Sequence, residues 1–195
     1  MNTNEKINQN IQNGSECISS KNILNLIERC HQSLNQYGEP YHLLLTGPTG
    51  AGKTTVIQQY LEKLENNEKV LVVDIPLPCS LRSLIETLLV LLGDPFPSKG
   101  TLEMKIRRLT HFFCYSKIEL VILDDFHRLL SRNRHARFEL SDFIVSLLKR
   151  TNVPFVFVGL EDTNHIIKEN AMLARRVSFH VNLEPFNNEK VEVNV

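Results

Sequence analysis

Residues 47–54 read Gly-Pro-Thr-Gly-Ala-Gly-Lys-Thr, a glycine-rich stretch closed by a lysine and a hydroxyl. The spacing G-x-x-x-x-G-K-[ST] suits one task, the cradling of a polyphosphate. Glycines at 47, 50 and 52 let backbone N–H groups turn inward around a β-phosphate, and Pro48, Thr49, Ala51 and Thr55 complete the run. Lys53 supplies a point charge to the β- and γ-phosphate oxygens, and the Thr54 hydroxyl can ligate Mg²⁺. A helix opening near Gly52 aims its positive end at the same phosphates. The ligands implied are ATP and Mg²⁺.

Such a cradle needs a carboxylate from elsewhere in the chain. Leu120-Val121-Ile122-Leu123-Asp124-Asp125 offers two, at the end of four apolar residues. In an open α/β sheet the carboxyl end of a strand is where ligands bind. Asp124 would hold Mg²⁺, directly or through water, and Asp125 would polarise the attacking water. The competing reading is that the two acids merely end a strand and cap a turn. A third element is Leu173-Ala174-Arg175-Arg176-Val177. A guanidinium there, with Arg176 favoured, could reach a γ-phosphate across a subunit boundary and stabilise transition-state charge. The alternative is a solvated arginine pair or a local salt bridge.

The elements that must position these residues follow from apolar spacing. Short buried strands are expected over 41–46, 69–75, 117–123, 153–158 and 177–183. Helices are expected over about 21–36, 55–65, 81–92, 101–115, 134–150 and 162–169, with Ser20 and Ser80 as caps. Asn66-Asn67 is a turn, and the loop 93–100 carries two glycines and two prolines. Strands alternating with helices imply an α/β fold, a parallel five-stranded sheet sandwiched by helices. A whole strand–helix module separates the cradle from the acidic strand. That order belongs to the ASCE branch of P-loop proteins, which includes the AAA+ and RecA-like ATPases.

The chain has 195 residues, enough for one good-sized core, and 22 basic residues balance 22 acidic ones. A neutral total disfavours a purely electrostatic nucleic-acid binder, yet basic residues cluster over 99–117 and 128–137. The domains expected are a disordered polar tail (1–19), an ATPase core (20–186) and a C-terminal tail (187–195). No signal-peptide core and no membrane-length apolar run is present. The scattered Cys17, Cys30, Cys79 and Cys114 read as reduced thiols of a cytoplasmic protein, three of them buried.

Together these blocks resemble the AAA+ transposition ATPases of the TniB and TnsC families. The resemblance covers about residues 21–186. It rests on the cradle, on Leu-Val-Ile-Leu-Asp-Asp-Phe-His-Arg-Leu-Leu at 120–130 and on Val-Pro-Phe-Val-Phe-Val-Gly at 153–159. Leu-Ala-Arg-Arg-Val at 173–177 and Leu-Glu-Pro-Phe at 183–186 complete it. The resemblance implies a homo-oligomer, a ring or filament on duplex DNA, that recruits a transposase. It also implies a DNA-facing loop at 97–101, in which Lys99 and Thr101 contact phosphate with Lys105 or Arg108 behind them. A solvated helix start with Thr101 as its cap is the other reading of that loop. The arginines at 128–137 face DNA or pair with a neighbouring subunit.

The chain departs from the family pattern in four places. Asp125 stands where the family usually has Glu, so hydrolysis is expected to be slow. Leu160 occupies the place of a polar γ-phosphate sensor, leaving Glu161 or Thr163 to substitute, and Arg175 replaces an Asn. The helical lid of AAA+ proteins is expected to be absent, or the chain truncated, since the sequence stops about ten residues after Phe186. Two other functions stay open: a nucleotide-dependent switch with little hydrolysis, and an AAA+ or STAND-like ATPase with no DNA partner. A small-molecule kinase of the P-loop class is disfavoured.

Overall fold

A computed structural model describes residues 20–64 and 69–184. The polar segment 1–19 with Cys17, the Asn66-Asn67 turn, Pro185-Phe186 and the tail 187–195 lie outside the described residues.

The order of elements is α1 (Ser20–Tyr37), β1 (His42–Thr46), α2 (Lys53–Leu61), β2 (Val70–Asp74), α3 (Leu81–Leu91), α4 (Leu102–Ser116) and β3 (Leu120–Asp124). A 3₁₀ helix (Phe126–Ser131) follows, then α5 (Arg134–Thr151), β4 (Phe155–Gly159), α6 (Thr163–Glu169), α7 (Ala171–Ala174) and β5 (Val177–Asn182). The five strands form one sheet in the order β2-β3-β4-β1-β5, and every pairing is parallel. The expected α/β sandwich is therefore the fold.

Successive strand residues point to opposite faces, so each strand feeds two cores. Leu43, Leu45, Ile122, Val156 and Val158 meet Ile23 and Ile27 of α1 and Val56, Ile57 and Tyr60 of α2. On the other face Leu44, Val121, Leu123, Phe155 and Phe157 meet α3, α4 and α5 through Leu84, Leu88, Leu109, Phe113, Ile144 and Leu148. Central strands covered on both faces must be apolar at every position, hence the uninterrupted runs. β5 lies at a sheet edge, and its burial alternates, with Ser178, His180 and Asn182 outward.

Local chemistry sets the boundaries. Ser80 caps α3 through a reciprocal capping box with Ser83, and the Thr101 hydroxyl accepts from Met104 N at the start of α4. Ser20 is instead the first helical residue of α1. β3 begins at Leu120 rather than at 117, because Lys117 sits in the left-handed region (φ 52°) and ends α4. The 3₁₀ helix and α7 were not expected from the sequence. Among the described cysteines Cys30 and Cys79 are buried and Cys114 is exposed. Burial pushes the Cys30 thiol up to about 12 and raises Cys79, which keeps both protonated and unreactive.

Candidate nucleotide site

The loop 47–52 leaves the carboxyl end of β1 and enters α2. Gly47 is required by space as well as by conformation. A Cβ there would stand 2.4 Å from the Leu183 carbonyl oxygen, where the chain leaving β5 crosses the loop. Leu183 N also donates to Thr46 O at 2.7 Å, which anchors that crossing. Gly52 adopts φ 92°, and a Cβ there would meet nothing within 4 Å, so conformation alone selects it.

A cleft of about 430 Å³ opens over this loop, lined by Thr49, Gly50, Gly52, Lys53, Thr54 and Thr55 on one side. Asp124, Asp125, His127, Arg128 and Leu160 line the other. The ammonium and the acid pair, remote in sequence, therefore share one edge of the sheet. β4 lies between β1 and β3 and sets their separation. Of the loop residues named from the sequence, Ala51 turns into the core, and Gly47 and Pro48 present carbonyls to Lys53 instead of lining the cleft.

Lys53 Nζ donates to Gly47 O at 2.7 Å and Pro48 O at 2.8 Å. Burial lowers its affinity for the proton, while Asp124 and Asp125 oppose that shift. Asp124 is pushed above the usual carboxylate range by burial. Asp125 N, which donates to Asp124 Oδ1 at 2.8 Å, works against the shift, and the charges of Asp125 and Asp74 add to it. A half-buried carboxylate among like charges is relieved by a cation, so the residues fit Mg²⁺ at Asp124 and Thr54. Among the described residues no group of three or more His, Cys, Asp or Glu forms an all-protein metal cage.

Asp125 adopts a left-handed conformation (φ 55°), which an aspartate tolerates. Its Oδ2 pairs with Arg128 Nη2 at 2.5 Å, and its Oδ1 lies 3.8 Å from His127 Nδ1. Arg128 Nη1 holds Asp74 Oδ1 at 2.7 Å, across the β2–β3 pairing. Arg128, which the sequence assigned to DNA or a neighbouring subunit, thus belongs to this cleft. Arg137 likewise has a partner in the chain, a bidentate pair with Glu169. His127 and Arg128 went unassigned to the site because no helix was expected after Asp125. The spacing of Phe126 and Leu129, one 3₁₀ turn apart, was the available signal.

At the sensor position Leu160 lines the cleft. Thr163 is fully buried, its hydroxyl packed against Gly159, and Glu161 Oε1 accepts from Asn182 Nδ2 at 3.2 Å. Neither Thr163 nor Glu161 lines the cleft.

Arg176 lies before β5, at the amino end of the sheet, since Val177 pairs in register with His42. A strand's length, roughly 15 Å, separates it from the loop at the carboxyl end. It cannot serve its own chain's cradle. It lines a second cleft of about 460 Å³ with Glu39, His42, Lys149 and Arg175.

The proposed DNA loop needs a correction. Lys105 is fully buried and its Nζ pairs with Glu86 Oε1, so it has no ammonium to offer a phosphate. Arg108 is spent internally: Nε holds Asp94 Oδ2 at 2.9 Å, and Nη2 donates to Phe96 O at 2.8 Å and Lys99 O at 3.1 Å. It staples the loop. Lys99 itself is exposed, as is Phe96.

Sheet order, glycine loop and strand-end acids define a P-loop protein of the AAA+ type. The sequence profile of the AAA domain family matches residues 14–167, and the chain belongs to that family. Among solved structures it is similar to the Aeropyrum pernix Orc1 protein in complex with DNA (TM-score 0.67, 16% identity, 88% of this chain and 47% of that one). The Aeropyrum pernix Orc2 protein, solved as ADPNP–ADP complexes, gives a TM-score of 0.67 at 16% identity over 83% of this chain and 46% of that one. Cdc6p from Pyrobaculum aerophilum gives 0.66 at 16% identity over 87% and 46%. The chain spans about half the length of these relatives, and the likeness is one of fold. No curated protein sequence matches the chain. No helix among the described residues is long and apolar enough to cross a membrane.

Proposed function

We propose that this chain binds ATP with Mg²⁺ and hydrolyses it slowly while assembled with other copies on duplex DNA. The observation that carries the reading is the convergence of Lys53, Asp124 and Asp125 in one cleft above the glycine loop. A triphosphate would replace the Gly47 and Pro48 carbonyls as partner of Lys53, moving the ammonium from a neutral acceptor to a charged one. Mg²⁺ held by Thr54 and Asp124 would neutralise phosphate charge. Asp125, at the next position, serves the attacking water. Hydrolysis joins the water oxygen to the γ-phosphorus and breaks that phosphorus's bond to the β–γ bridging oxygen.

Arg176, at the opposite end of the sheet, would serve a neighbouring subunit's γ-phosphate. Head-to-tail packing of copies would bring one chain's amino edge to the next chain's carboxyl edge, and ATP at that seam would order the assembly. Relatives of this fold solved with DNA and with ADPNP and ADP support a DNA and nucleotide role. Lys99 on its stapled loop is our candidate phosphate contact, with Thr101 as the cap behind it. The finer role, a transposase-recruiting target selector with a transposase as partner, rests on the TniB/TnsC resemblance. We assign 20–186 as the ATPase core and the cytoplasm as its location on the same footing.

ATPase rates with and without duplex DNA, and microscopy of assembly with ATP, test this reading. A protein that stays monomeric on DNA with ATP refutes the assembly. A second reading, a switch that binds ATP but barely turns it over, is favoured by Leu160 in the cleft and by the Arg128 grip on Asp125. Single-turnover hydrolysis separates the two: no phosphate released over hours selects the switch.

A further inference from the structure

One oxygen of the acid expected to activate water is committed. Asp125 Oδ2 is gripped by Arg128, and Oδ1 faces His127 Nδ1 at 3.8 Å. Arg128 is itself anchored to Asp74 and to the Ile75 carbonyl, so the grip is braced from β2. A carboxylate braced on one oxygen turns the other toward a neighbour.

His127 is that neighbour. Phe126 and Leu129 are both buried and stand one 3₁₀ turn apart, pinning one side of the helix into the core. His127 and Arg128, between them, fall on the side that lines the cleft. Glycine at the end of β4 permits this approach: a Cβ on Gly159 would stand 3.1 Å from His127 N. Nδ1 is shut off from solvent and has no hydrogen-bond partner among the described residues, its nearest charged atom being the Asp125 oxygen. The imidazole is otherwise about a quarter exposed, and it lines the cleft. With the proton on Nδ1, facing the carboxylate, Nε2 is the nitrogen that keeps a lone pair.

We propose that His127 is the general base of ATP hydrolysis, with Asp125 as its positioning residue. This rests on the nucleotide reading above and changes which atom takes the proton. As the water oxygen bonds to the γ-phosphorus, its proton passes to His127 Nε2. The electron pair of the broken P–O bond stays on the departing diphosphate, and the imidazolium later returns the proton to solvent. The carboxylate stabilises that imidazolium, the arrangement by which an aspartate orients a histidine in hydrolytic triads. The 3.8 Å gap would close with nucleotide bound, as catalytic contacts commonly do. The imidazole also spans the reach that Asp125 lacks relative to glutamate.

The test compares wild type with His127→Ala, Asp125→Asn and the double variant, using Mg-ATP and duplex DNA. Binding of a fluorescent ATP analogue reports folding and the cradle. The dyad predicts that His127→Ala keeps analogue affinity within about 2-fold and loses about 100-fold in kcat. Exogenous imidazole restores part of the loss, which a merely structural histidine would not permit. Adding Asp125→Asn to His127→Ala then costs under about 3-fold more, because an orienter has nothing left to orient. Turnover of His127→Ala within about 3-fold of wild type overturns the proposal, as do fully additive losses without imidazole rescue. If wild type binds and hydrolyses ATP and only these outcomes fail, the dyad alone falls. If wild type binds ATP without hydrolysing it, the dyad falls and the switch reading stands. A wild type that binds no ATP removes both.

Discussion

His42 makes the stability of this protein acid-sensitive in a way that can be worked out. It opens β1, is almost fully buried, and its Nδ1 accepts from Phe155 N at 3.0 Å, tying β1 to β4 at the amino end of the sheet. That bond needs an unprotonated Nδ1. Burial, reinforced by the Arg176 charge, pushes the imidazole from its ordinary 6.5 down to about 4. The unfolded chain therefore binds the proton more readily, and stability is complete above pH 6.5 and lost as pH falls toward 4. Between pH 7 and pH 4.5 the linkage amounts to about 2.5 kcal/mol, a quarter to a half of a marginal domain's stability. His42→Asn removes the titration while leaving an oxygen near the Nδ1 position. Urea denaturation of both proteins across this pH range isolates the effect, because carboxylates and His180 titrate alike in the two. The variant should start about 1 kcal/mol less stable at pH 7, through the smaller side chain, and overtake wild type by pH 4.5. Parallel stability curves would refute the assignment of His42 as a buried neutral acceptor.

Gly47→Ala should cost more than about 3 kcal/mol and abolish nucleotide binding, since its Cβ would overlap the Leu183 carbonyl at 2.4 Å; thermal unfolding and an ATP titration check both. Glu86→Ala should destabilise by about 3 kcal/mol, because it strands the buried Lys105 ammonium, whereas Lys105→Met should cost under about 1 kcal/mol and leave DNA affinity unchanged in chemical denaturation and binding assays. Lys99→Ala should lower the slope of log K against log salt by about 0.9 per chain. Arg108→Ala should weaken DNA binding without that slope change and raise hydrogen exchange over 94–100, the signature of a lost staple.

The cradle and the strand-end acids could be read from the sequence because their chemistry is local. A phosphate loop is spelled by adjacent residues, and a strand buried on both faces shows itself as an uninterrupted apolar run. Caps were legible for the same reason: Ser80 and Thr101 reach only three residues ahead. The 3₁₀ helix after Asp125 was not, because a single turn pinned by Phe126 and Leu129 has too short a period to stand out, and with it His127 and Arg128 were missed as cleft residues.

Charges divide the same way. Sequence showed that Lys105 and Arg108 are basic, and the family resemblance set one or the other behind a phosphate-contacting loop. Only the packing of α3 and the loop after it against α4 revealed that Glu86 and Asp94 consume them. Asp74 and Arg128 are fifty-four positions apart, and their meeting depends on the β2–β3 pairing. Sequence alone determined what chemistry this chain carries, since side-chain type and near spacing are local properties. The tertiary structure decided which of those groups remain free to act, because an ion pair depends on distances that only the folded sheet and its helices set.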